Sequence, residues 1–149
     1  EAAFDPTKFG DVITADHIIL GDHHEDDFAG DATALVVPDR ATWWLSAYPA
    51  PAKSAEETTV ALRHVVGPGD NVVNLFHSDG SGELIKAAKN MGWRHDVATP
   101  RRPQSNGVAE AAVARAMRGL ALCYYNRDWH MNGGVKLLCV PRTSATSPT

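Results

Sequence analysis

Residues 11 to 20 read D-V-I-T-A-D-H-I-I-L, and this run limits the possible folds more than any other part of the chain. It is rich in Val and Ile, the side chains that suit a pleated strand. Alternation puts Val12, Thr14, Ile18 and Leu20 on one face and Ile13, Ala15 and Ile19 on the other,. A strand apolar on both faces needs cover on both sides, which predicts a central strand in a sheet flanked by helices. Asp16 interrupts the run. An ionised carboxylate there costs several kcal/mol, on the order of 3 or more, unless a cation or strong hydrogen bonds compensate. Asp16 therefore reads as a metal ligand.

The rest of the chain supplies the cover. Gly21 to Asp31 is an acidic connection, and its consecutive His23, His24, Glu25, Asp26 and Asp27 read as a solvated loop because neighbours in a row rarely converge on one ion,. Ala32 to Val37 forms a second strand, Pro38-Asp39-Arg40 turns the chain, and Thr42 to Tyr48 forms a third,. Trp43 and Trp44 read as core and sheet-edge residues of that third strand, and Asp39 as a turn acid outside any site. Ser54 with Glu57 three residues on is a capping box, opening a helix that Gly67-Pro68-Gly69 ends,. Asn71 to His77 is a fourth strand with Asp79 just past its carboxyl end, where ligands gather in open α/β sheets,. A helix from Ser81 to Met91 and a short strand from Trp93 to Val97 follow,.

Two prolines and a glycine deny Pro100 to Gly107 regular structure, and an Ala-rich helix runs from Val108 to about Asn126,. Glu110 falls in its first turn, about 20° around the axis from Met117, beside the apolar stripe of Val113, Met117 and Leu120,. The element order, three strands and then helix-strand-helix-strand-helix, predicts an α/β fold with a mixed five-stranded sheet and helices on both faces.

Length and charge bound the function. A chain of 149 residues is one domain with a real core,. Residues 1 to 10 read as a lead-in, 11 to 126 as the folded core, and 127 to 149 as a divergent tail, partly disordered, with one short strand or helix,. No apolar run reaches the ~20 residues of a membrane span, no signal peptide is visible, and a first residue of Glu rather than Met suggests a piece of a polyprotein,. Cys123 and Cys139 offer neither a zinc pattern nor a disulfide framework,. Net charge is −4, but its distribution is uneven: residues 1 to 40 hold ten acids against Lys8 and Arg40. From Lys86 to Arg127 eight bases face only Asp96 and Glu110. A basic half beside a carboxylate cluster suits a phosphate backbone held near metal ions.

Asp16, Asp79 and Glu110 stand in the spacing D-x62-D-x30-E. Three passages carry them: Ala15-Asp16-His17-Ile18, His77-Ser78-Asp79-Gly80-Ser81-Gly82-Glu83, and Arg102-Pro103-Gln104-Ser105-Asn106-Gly107-Val108-Ala109-Glu110. Together they resemble the catalytic core of retroviral and LTR-retrotransposon integrases, members of the RNase H-like superfamily. The third passage is the most specific, because P-Q-S-N-G-V-A-E is long and contains the acid itself. Leu35 to Arg40, leading into Trp43, is similar to the family's second and third strands, and the whole resemblance covers residues 9 to 126. The chain departs from the pattern at Gly80, where the family commonly has Asn, and at Ala111 and Ala112, where it often has a basic or amide residue.

The resemblance implies an RNase H-like three-layer fold and a polynucleotidyl transferase or endonuclease of the D,D,E type. Such an enzyme trims the 3′ ends of retroelement DNA and joins them to target DNA, usually as a homo-oligomer, in the nucleus when acting on host DNA. It implies Asp16, Asp79 and Glu110 as catalytic residues and as ligands of two Mg²⁺ or Mn²⁺ ions, hard cations that select oxygen donors. Gln104, Ser105 and Asn106 would position DNA, with Lys86, Lys89, Arg101, Arg102, Arg115 and Arg118 as candidate phosphate contacts. Two other functions stay open on the residues alone. One is an integrase-like module that binds DNA or a partner without catalysis. The other is an RNase H-type nuclease, against which the P-Q-S-N-G-V-A-E loop speaks.

Overall fold

The structure is a computed structural model that describes residues 5–19, 31–68, 73–98 and 110–115, together with the backbone of 137–139. The loop at 21–31 (but for Asp31), most of the 98–107 loop, the continuation of the last helix and most of the tail lie outside these residues. Strand β1 (Val12–Ile19) is followed by β2 (Thr33–Pro38), β3 (Leu45–Ala50), helix α1 (Ala55–Val66), β4 (Leu75–Ser78), α2 (Gly82–Met91), β5 (His95–Val97), helical residues at 110–115, and β6 (Leu137–Cys139). The five expected strands lie in the order β5-β4-β1-β2-β3, and β6 adds beside β3. The β1–β2 and β2–β3 pairs are antiparallel, while β1–β4, β4–β5 and β3–β6 are parallel.

The two-faced strand at residues 11–20 is central, as its composition requires. One face of the sheet contributes Ile13, Ala15, Leu35, Val37, Tyr48 and Phe76 to a core completed by Ala61 and Leu62 of α1 and by Leu84, Ala87 and Ala88 of α2. On the other face Val12, Thr14, Ala34, Val36 and Ala47 are buried too. Sheet residues covered on both sides make this the three-layer α/β arrangement of the RNase H-like fold.

Local chemistry fixes the element ends. Ser54 Oγ accepts the Glu57 N–H at 3.2 Å and so caps α1,. Gly67, at φ 68°, ends α1, and Gly92, in the left-handed region at φ 71°, ends α2,. The third strand starts later than the sequence suggested. Asp39 Oδ2 accepts the Thr42 N–H at 2.8 Å and its hydroxyl at 2.7 Å. The Trp43 N–H donates to Asp39 O at 2.9 Å. This tight turn takes up Thr42 to Trp44, so Trp43 is no core or strand residue: it sits at φ 60° with 54% of its surface exposed. The fourth strand is also shorter than expected. Asn74 precedes it as an anchor, its N–H donating to Gly10 O and its side-chain amide to Asp11 Oδ1.

Candidate functional site

β1 and β4 pair in parallel from Val12↔Leu75 to Ala15↔Ser78. The next residue on each is an aspartate, Asp16 within β1 and Asp79 just past the end of β4. Here the two chains part company, β1 toward β2 on one side and β4 toward β5 on the other. Such a switch point, at the carboxyl ends of parallel strands, is where open α/β sheets form ligand sites. Asp16 is half-buried, and its carboxyl is pushed above the usual range, first by burial and then by the negative charge of Asp79,. Asp79 is exposed, and its Oδ1 accepts the Ser81 N–H at 3.2 Å.

Behind Asp79 the backbone is pinned. Ser78 Oγ donates to Asp79 O at 2.8 Å, so its lone pair is left to accept from His95 Nε2, also at 2.8 Å. Gly80 lies close against β5, where an added Cβ would come within 3.3 Å of Val97 Cγ1.

A second charged group adjoins the pair. The His17 side chain is only 4% exposed and lies 3.0 Å by Nε2 from Thr58 Oγ1. The Thr58 hydroxyl already donates to Ser54 O at 2.6 Å, so the imidazole Nε2–H is the donor and Nδ1 carries a lone pair,. Nδ1 is buried without a hydrogen-bond partner, 3.9 Å from Glu83 Oε1. Burial, and then the Lys53 charge, hold His17 below its ordinary pKa, with Glu83 and Asp79 opposing. Glu83 Oε1 in turn lies 2.7 Å from Lys53 Nζ. That contact raises the Lys53 pKa and lowers that of Glu83; Asp79 and Asp16 also raise that of Lys53.

The structure thus brings Asp16 and Asp79 together and sets Lys53, Glu83 and His17 beside them. Glu110 opens the helical residues 110–115 and is exposed, whereas the sequence set it beside the buried stripe; burial begins at Ala112. Among the described residues no three His, Cys, Asp or Glu side chains group as a metal centre. Lys86 is exposed on α2 and paired with Glu56 at 3.1 Å, and Lys89 and Arg115 are exposed. Gln104, Ser105, Asn106, Arg101, Arg102 and Arg118 lie outside the described residues. Sequence reasoning missed Lys53, Glu83 and His17. The one local signal was Glu83 in the first turn of the helix after Asp79, a position that dipole preference alone explains,.

No family model and no curated protein matches the chain. Among solved structures, it is similar to a chain of the cryo-EM structure of the simian T-cell lymphotropic virus intasome in complex with PP2A regulatory subunit B56 gamma. The TM-score is 0.61 at 15% identity, over 87% of this chain and 47% of that one, so this chain spans about half the length of its neighbour. At that identity the likeness is one of fold.

Proposed function

We propose that this chain is an integrase catalytic core, a polynucleotidyl transferase that processes the 3′ ends of retroelement DNA and transfers them to target DNA. The observation that carries this reading is the meeting of Asp16 and Asp79 at the switch between β1 and β4. Burial and the Asp79 charge both raise the proton affinity of the half-buried Asp16, and this fits a divalent cation, because bound positive charge relieves both burial and repulsion,. Asp16, Asp79 and Glu110 would hold two Mg²⁺ or Mn²⁺ ions, which when bound supply charge stabilisation to the attacking and leaving oxygens of an in-line phosphoryl displacement. The protein's own part is positioning. Ser78, His95 and Ser81 fix the Asp79 backbone and carboxylate, and β1 holds Asp16 on a rigid central strand,.

The D,D,E spacing and the P-Q-S-N-G-V-A-E loop favour DNA joining over cleavage of RNA in hybrids. The similar solved structure is an intasome in complex with a regulatory subunit, which favours an assembly as the working form. The family resemblance is what implies a homo-oligomer on DNA, in the nucleus where host DNA is met. Among the described residues no helix is long and apolar enough to cross a membrane.

A disintegration-type strand-transfer assay with Mn²⁺ tests this. Wild type joins DNA ends and leaves RNA–DNA hybrid intact, while Asp16→Asn, Asp79→Asn and Glu110→Gln are inactive though folded. Variants as active as wild type, or a wild type that neither joins DNA nor binds Mn²⁺, would overturn it. Hybrid cleavage without joining would move the chain to the RNase H-type class.

A further inference from the structure

We infer that Lys53 is a phosphate-binding residue of this site, docked on Glu83 in the free protein and released to a backbone phosphate of the nucleic-acid strand. The inference rests on the reading above, and adds to it a residue that neither the motif nor the family resemblance marks.

The Lys53–Glu83 pair is poorly placed to be structural. Its side chains are 39% and 20% exposed, and the Glu83 Oε1 that faces Lys53 is buried without a well-formed hydrogen bond, so the contact is held by charge and not by good hydrogen-bond geometry,. Its location is more telling. Lys53 lies in the connection between β3 and α1, and Glu83 lies in the first turn of α2, so the contact spans two segments that flank the acid pair. Lys53 lies close enough to feel the charges of both Asp79 and Asp16. A site with two carboxylates repels a polyanionic strand, and a neighbouring ammonium on a flexible stem is the point charge that a phosphate oxygen takes.

The two described lysines of α2 are worse placed. Lys86 is engaged with Glu56 on the outer surface of the two helices, and Lys89 lies in the last turn of α2, the end away from Asp79. Glu83 also has little else to hold. His17 presents it with an Nδ1 lone pair at 3.9 Å, which repels rather than binds a carboxylate. Lys53 is therefore the cation that balances the Glu83 charge, though Glu83 Oε1 is left buried without a well-formed hydrogen bond, and Glu83 keeps Lys53 beside the site.

The test is duplex DNA binding by fluorescence anisotropy over a salt series, with Ca²⁺ present to prevent turnover. Lys53→Met should lower affinity several-fold, equally on unrelated sequences, and reduce the salt slope by about one ion, while Lys53→Arg restores both. Glu83→Gln should do the opposite, tightening binding at an unchanged slope because it frees the ammonium. A merely structural pair would make Lys53→Met and Glu83→Gln act alike, on thermal stability and not on DNA. That result, or a wild-type salt slope in Lys53→Met, overturns the inference. Mn²⁺ titration separates the two levels. If wild type binds Mn²⁺ and Asp16→Asn loses it, yet Lys53→Met binds DNA normally, this inference alone fails. If wild type binds neither Mn²⁺ nor DNA, the functional reading fails and takes the inference with it.

Discussion

The two ends of β1 hold aspartates in opposite circumstances. At its start Asp11 and Asp39 are 4% and 1% exposed and fully engaged. Asp11 accepts the backbone N–H groups of Thr7 and Lys8 on Oδ2 and the Asn74 amide on Oδ1. Asp39 accepts from Gly10 on one oxygen and from Thr42 twice on the other. At the far end Asp16 is half-buried beside another acid, and its carboxyl is pushed up where that of Asp11 is pulled down by the Thr7 and Lys8 N–H groups. Burial alone therefore does not mark a functional acid. A buried carboxylate surrounded by donors is part of the scaffold, and one left facing another carboxylate awaits a ligand.

The sharpest way to break this contrast is to neutralise one acid at each end. Asp16→Asn should reduce strand transfer by about 10³-fold or more, the scale of a lost electrostatic catalyst, and leave the protein folded. Asp39→Ala should act the other way. It orphans the Gly10 and Thr42 N–H groups and should cost about 3 kcal/mol of stability in denaturant unfolding, with residual activity following the folded fraction. If Asp16→Asn instead unfolded the protein and Asp39→Ala spared it, the assignment of the two ends would be reversed.

Acid should separate the ends as well. Burial, the largest cause in each case, holds His17 and His95 below the ordinary 6.5. The unfolded chain takes up those protons first, so stability should fall as pH drops from 6.5 through the lowered native values. Asp11 contributes stability fully above 3.8 and loses it only as pH falls through its depressed native value,. A melting-temperature series should thus show a first decline below pH 6.5 from the site end and a second, more acidic one from the base. Asp16 has the reverse sign. Its raised value is a penalty that appears as pH rises above 3.8, so metal-free Asp16→Asn should melt higher than wild type at pH 7, with the gap closing toward pH 3.8,.

The smallest effect sharpens the local picture at the site end. Gly80→Ala puts a methyl 3.3 Å from Val97 Cγ1, and Val97 is 40% exposed and free to give. The cost should be under about 1 kcal/mol and should vanish in a Gly80→Ala, Val97→Ala double variant.

Much of the scaffold could be read directly. The two-faced apolar run gave β1 and its central place, the Ser54 cap gave the start of α1, and the residues after His77 put Asp79 at the end of a strand. Trp43 reads as a strand residue because it alternates with Leu45 and Ala47, while the turn it occupies depends on an Asp39 side chain whose hydrogen bonds no periodicity records. Lys53 and Glu83 were invisible for a related reason: each is unremarkable in its own segment, and only their meeting gives them a role.

Taken alone, the amino-acid order determined which segments are strands and helices, that the sheet is covered on both faces, and that three acids stand in a D,D,E spacing. Those are local properties, set by side-chain periodicity, capping and turn residues. Only the tertiary structure decided that Asp16 stands beside Asp79, that Asp11 and Asp39 are saturated with donors, and that Lys53 reaches Glu83. Register between β1 and β4 is fixed by packing Ile13 and Phe76 into one core across a long stretch of intervening chain. A one-residue slip would turn every side chain of the strand to the opposite face and part the two carboxylates.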